Sequence, residues 1–203
     1  MSTRAFILHT LACVGLLSLN APLLEADVSR AEDIVNGRCF LCHGAGGEAR
    51  SPVFPRLAGQ HGEYVAKQLA DFKSGKRKSE SMKSQVEELT PGEMKALGVF
   101  FEKKKAAPNQ ATDIDILAVG KYIFAKGNQF SGLPSCASCH GAKGYGTPLL
   151  PRLAGQHPRY IEDQIKQFNK RERTNDNAIM HTVASKLTEL ETNAVAEYIA
   201  TME

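Results

Sequence analysis

Two short runs in this chain place a pair of thiols and an imidazole where one ligand can take all three. Cys39-Phe40-Leu41-Cys42-His43 recurs as Cys136-Ala137-Ser138-Cys139-His140, 97 residues further on. A Cys-x-x-Cys-His run is the attachment signature of c-type haem. Two thiols three residues apart share one helical turn, so both can add to the two vinyl groups on one haem edge. The next residue, the histidine, is then carried under the ring toward the iron. Other chemistries also use paired cysteines. Four cysteines allow three disulfide pairings, a thioredoxin-type redox pair belongs to a βαβ pattern, and a zinc site brings its second pair within about 15–20 residues. No βαβ pattern is present and the pairs are 97 residues apart. The repeated motif therefore predicts two haem c groups, bound through Cys39, Cys42, Cys136 and Cys139, with His43 and His140 on the irons.

Haem iron has a second axial face, which electron carriers fill with Met or His. Met82 and Met180 occupy equivalent places, 39 residues after His43 and 40 after His140. Both fall in polar stretches that read as loops, an odd setting for a core methionine. Met94 and Met202 have no counterpart in the other half and suit packing on helices. His61 and His157 are also paired, so bis-histidine ligation is the alternative; His181 has no equivalent, since Lys83 stands in its place. The loop setting favours Met82 and Met180 as iron ligands.

The elements around these groups are duplicated too. Pro55-Arg56-Leu57-Ala58-Gly59-Gln60-His61 returns unchanged as Pro151–His157, and Tyr64, Gln68 and Phe72 match Tyr160, Gln164 and Phe168. Two copies near 80 residues each make a duplicated domain rather than a solenoid. Apolar spacing predicts helices over Ile116–Lys126, Glu63–Lys73 and Arg159–Lys170, with a weaker one over Ala31–Arg38. Thr90-Pro91-Gly92-Glu93 and Thr188-Glu189-Leu190-Glu191 are capping boxes that open two further helices. No alternating strand pattern appears, so the expected class is all-α, as two tandem domains. They span 27–105 and 114–203. Residues 106–113 link them, within the charged, Pro-containing stretch Glu102–Asp113.

Residues 1–26 read as an export signal, with Arg4 ahead of an apolar stretch from Ala5 to Leu19. The cut is placed after Ala26, with Ala21 as the alternative. The stretch is short and carries polar breaks, which disfavours an uncleaved membrane anchor. The mature chain would then lie in the periplasm. The 25 basic and 22 acidic residues are too balanced for a nucleic-acid binder. Residues 27–105 carry 14 basic and 11 acidic residues, whereas 106–203 carry ten of each. The run Lys73-Ser74-Gly75-Lys76-Arg77-Lys78 is a candidate docking edge for a redox partner.

The two haem motifs, the two Pro-Arg-Leu-Ala-Gly-Gln segments and the two later methionines together resemble the diheme cytochrome c4 family, over about Ala31 to Met202. The resemblance implies two cytochrome c-like domains related by a pseudo-twofold axis, with His43–Met82 and His140–Met180 as axial pairs. It implies that Pro55 and Pro151 pack beside the proximal histidines, and makes Arg56 and Arg152 candidates to pair haem propionates. The family carries single electrons in the periplasm, commonly from a quinol-oxidising donor complex toward a terminal oxidase, and some members associate with the membrane. No nucleophile or general base is needed, so the chain is expected not to be an enzyme. A similar layout serves as the cytochrome subunit of flavocytochrome c sulfide dehydrogenases, and a diheme peroxidase or thiosulfate-oxidising catalyst is the remaining alternative. A catalyst needs an open iron, which paired methionines would deny.

Overall fold

The computed structural model describes residues 29–203; the expected signal segment 1–26 lies outside them. Helix α1 covers 29–43, and its turn Val35–Cys39 is a π-helix. It is followed by α2 (Gly62–Lys73), α3 (Glu80–Val86) and α4 (Pro91–Glu102). The second half contains α5 (Leu117–Lys126), α6 (Ala137–His140), α7 (Pro158–Asn169), α8 (Ile179–Ala184) and α9 (Glu189–Thr201). Among the described residues there is no strand, only the isolated bridges Asn128–Leu133 and Thr147–Leu150.

Each half closes around its own core. The first gathers Ile34, Val35, Val65, Val86, Leu97 and Phe101. The second gathers Ile123, Phe124, Ile161, Val195, Ala196 and Ile199. In the first, α4 packs on α2; in the second, α9 packs on α5 and α7. Both capping boxes form: Thr90 and Thr188 accept from the N–H of Glu93 and Glu191, whose carboxylates reach back to the threonine N–H. These pairings satisfy helix-end donors that would otherwise have no partner.

The halves differ where they enter their motifs. Val35 lies four residues before Cys39, but Phe124 lies twelve before Cys136. In the first half α1 runs without a break into the motif, and the π-turn holding Asn36 and Gly37 absorbs the junction. In the second, α5 ends at Gly127, and a loop with Phe130 almost fully exposed intervenes before α6. The helix expected over Ala31–Arg38 is thus longer than its pattern suggests.

The repeated heptapeptide forms the seam between the halves. Gln60 Nε2 donates to the Arg152 carbonyl at 2.9 Å, and Gln60 Oε1 accepts from the Arg152 N–H at 2.8 Å. Gln156 treats Arg56 in the same way, at 3.0 and 2.8 Å. His61 Nε2 donates to the Tyr145 carbonyl and His157 Nε2 to the Ala49 carbonyl, each at 2.7 Å. The fifth residue of the heptapeptide must be glycine. Gly59 and Gly155 have φ of 69° and 75°, and a Cβ on Gly155 would come within 2.5 Å of the Ala107 carbonyl oxygen. The stretch 106–113 is fastened as well, by an Asn109 N–H to Ala200 O bond of 2.7 Å and by Thr112 bonding Glu197.

Candidate haem-binding sites

The end of α1 and the short helix α6 present the two motifs. None of the four motif cysteines is paired in a disulfide; Cys139 is exposed and the others are half-buried. Burial pushes the Cys39 and Cys136 thiols up to about 11, in Cys39 against the opposing pull of Arg38. Among the described residues no three His, Cys, Asp or Glu side chains are grouped as they would be around a bare metal ion.

The histidines are buried and fixed. His43 Nδ1 donates to the Pro55 carbonyl at 2.9 Å, and His140 Nδ1 donates to the Pro151 carbonyl at 3.1 Å. An N–H on Nδ1 leaves the lone pair on Nε2, the atom that can bind iron. Among the described residues nothing bonds Nε2 of either ring. Burial holds both imidazoles below their usual pKa, partly offset by the bond to proline. A neutral ring is the form that ligates a metal. The two prolines thus supply a carbonyl as well as the packing implied by the resemblance.

Met82 and Met180 lie on helices rather than in loops. Met82 is in α3, where Ser79 accepts its N–H at 3.3 Å, and Met180 is in α8. Both stretches are too short and too solvated to show helical periodicity. Both side chains are half-buried, and Met82 packs on the first core. A groove of about 470 Å³ is lined by Gly132, Pro134 and the α8 residues Ile179, Thr182 and Val183. His181 is held away by its own bond, Nδ1 donating to the Phe168 carbonyl at 3.0 Å.

Three other sequence expectations change. His61 and His157 are not spare ligands, because their Nε2 atoms are used across the seam. Arg56 is a clamp on main chain: its guanidinium donates to the carbonyls of Glu48, Ala107 and Gly155 at 3.1, 3.0 and 2.8 Å. Arg152 lies over the Tyr145 ring at 4.5 Å, and its Nε is a buried polar atom without a partner among the described residues. It is therefore suited to a propionate. Arg77 is not part of a docking edge. It is buried, donating to Gln68 at 2.9 Å within its own half and to Tyr160 and Gln164 of the other at 2.9 and 2.7 Å. Residues of one half meeting those of the other gave no local signal in the sequence.

A thiol pair beside a buried, Nδ1-anchored imidazole, twice over in helical domains, fits two covalently held haems and defines a two-domain c-type cytochrome. The sequence profile described as cytochrome c matches residues 28–124 and again 118–203. Cytochrome c4 of Thiocapsa roseopersicina is 37% identical over 177 residues, covering 85% of this chain and 91% of that protein. The crystal structure of reduced recombinant cytochrome c4 from Pseudomonas stutzeri matches with a TM-score of 0.82 at 32% identity, covering 87% of this chain and 98% of that one. A thiosulfate dehydrogenase electron acceptor of Thiomonas intermedia is 35% identical over 167 residues, covering 80% of this chain and 77% of that protein. The chain belongs to the cytochrome c4 family. It is a diheme electron-transfer protein rather than an enzyme, with two covalent haem c groups, and it exchanges electrons with redox partners.

Proposed function

We propose that this chain carries single electrons through the periplasm, from a quinol-oxidising complex toward a terminal oxidase. One haem belongs to residues 27–105 and the other to 114–203, with 106–113 between them. Cys39 and Cys42 hold the first through thioether bonds, and Cys136 and Cys139 hold the second. His43 and Met82 face the first iron, and His140 and Met180 the second.

When bound, haem iron supplies a one-electron couple, raised by a methionine sulfur. The chain's own residues do the rest. The prolines keep the imidazoles in one tautomer, and Met82 and Met180 would supply the sulfur ligands. The observation that carries this reading is the matched pair of Nδ1–carbonyl bonds, which aims a free Nε2 from each motif. Periplasmic placement is supported by the leader pattern of residues 1–26. No helix among the described residues is long and apolar enough to cross a membrane.

The likeness to a thiosulfate dehydrogenase electron acceptor favours a second reading, in which the donor is a sulfur-oxidising enzyme. The deciding experiment starts with the protein made in a haem-attaching host. Pyridine haemochrome quantitation should give two haems per chain, and the ferric spectrum should show the weak long-wavelength band of methionine–iron bonds. Stopped-flow reduction by a quinol-oxidising complex and by thiosulfate dehydrogenase then separates the two readings. Absence of covalent haem would overturn both.

A further inference from the structure

The peptide unit joining Pro55 to Arg56 is bonded at both ends. Its carbonyl accepts from His43 Nδ1 at 2.9 Å, and its N–H donates to Gln156 Oε1 of the other half at 2.8 Å. The unit joining Pro151 to Arg152 repeats this with His140 at 3.1 Å and Gln60 at 2.8 Å. Each proximal histidine is thus one peptide group away from a buried amide of the opposite half. Gln60 and Gln156 are each 6% exposed, and their Nε2 atoms are held by the Arg152 and Arg56 carbonyls, so neither amide can turn away.

We propose that Gln156 tunes the His43 iron and Gln60 tunes the His140 iron, each from across the seam. This rests on the axial assignments proposed above. An acceptor on a peptide N–H draws charge toward the carbonyl, and hydrogen bonds in a chain strengthen one another by perhaps 10–30% per bond. The carbonyl then pulls harder on the Nδ1 proton. The imidazole becomes more basic at Nε2, a better donor to ferric than to ferrous iron. Gln60 and Gln156 are positioning residues that lower the potential of the iron in the other half. The repeated heptapeptide is accounted for on this basis. Its proline carbonyl serves its own histidine, while its glutamine serves the histidine of the other copy.

The test is a potentiometric titration of the holoprotein followed by NMR, with contacts to Pro55 or Pro151 identifying each histidine Nδ1–H. Gln156→Leu should make the His43 site about threefold easier to reduce at fixed potential, about 28 mV at 59 mV per tenfold change. Its Nδ1–H resonance should move upfield as the bond weakens, with the His140 site unchanged. Gln60→Leu should do the reverse. Should either leucine variant lose its fold, Gln156→Glu keeps the acceptor and adds charge, and should make the His43 site alone harder to reduce. Shifts in the same half, equal shifts in both halves, or no shift would overturn the proposal. Two haems per chain with the methionine–iron band intact in the parent protein would still uphold the axial assignments, so failure here is distinguishable from failure there.

Discussion

Arg77 and Arg173, equivalent residues of the two halves, donate to the same oxygen: Gln164 Oε1 lies 2.7 Å from a guanidinium nitrogen of each. Gln68 Oε1 plays the same part at 2.9 and 3.2 Å. Arg77 also reaches Tyr160, and Arg173 reaches Tyr64 at 3.0 Å. Burial alone would raise the Tyr160 phenol, but the two guanidinium groups outweigh it and hold its pKa below the usual value. Asp71 joins this network through Asn175 Nδ2 at 2.7 Å.

Arg77→Ala removes the donor to the Tyr160 hydroxyl at a buried seam and leaves Arg173 to serve Gln68 and Gln164. Leaving a buried group such as Tyr160 unpaired costs on the order of 1–3 kcal/mol. Thermal unfolding of the holoprotein, followed at both haems, should show the midpoint falling for both halves together. A loss confined to the first half would mean that the seam does not couple them.

Met82→Ala should keep two haems per chain but remove about half of the methionine–iron band. The potential of that site should fall, because a sulfur donor favours ferrous iron. The opened iron should also react with peroxide. Met94→Leu, deep in the first core, should leave spectrum and potential unchanged.

The capping boxes predict an acid limb in stability. The Thr90 N–H, with Arg30, holds Glu93 below the ordinary carboxylate range. The Thr188 N–H does so for Glu191 against its burial, with Asn128 adding to the effect. A carboxylate depressed in the folded state stabilises it fully above the unfolded pKa of about 4.3 and loses that contribution as pH falls through the folded value. Glu191→Gln keeps the capping acceptor but loses the charge at the helix N-terminus, and should therefore cost about 0.3–1 kcal/mol at pH 7 and little at pH 3. Denaturant titrations at the two pH values would show whether the difference closes.

Gly120→Ala should destabilise the second half. The added Cβ would come within 1.9 Å of the Ala194 carbonyl oxygen, forcing α5 away from α9. Overpacking of this kind costs about 1–3 kcal/mol. Gly37→Ala is the control. Its Cβ would meet nothing within 4 Å, so stability should hold or rise by up to about 1 kcal/mol. Midpoints from denaturant unfolding of both variants would give the comparison.

What the sequence revealed was what depends on neighbours in the chain. The two motifs, the apolar stripes of α2, α5 and α7 and both capping boxes follow from residues within a few turns of one another. The helices carrying Met82 and Met180 were hidden because six or seven solvated residues show no period. The roles of His61, His157 and Arg77 were hidden for a different reason. Their partners stand 83 to 108 positions away, and nothing local marks a histidine that bonds a distant carbonyl. The π-turn Val35–Cys39 left no mark in the pattern, because Asn36, Gly37 and Arg38 within it are polar or lack a side chain.

The reciprocal seam has a bearing on ancestry. Every bond from Gln60 to the Arg152 peptide has its mirror in the bond from Gln156 to Arg56, the self-complementary pattern by which identical subunits close a pair. A forerunner with a single heptapeptide would already have held both sides of that contact and could have met a second copy of itself. Joining two copies in one gene would have preserved the contact while freeing each side to diverge. The longer loop before Cys136 and the presence of Asp71 where the second half has Gln167 would then be marks of that later freedom.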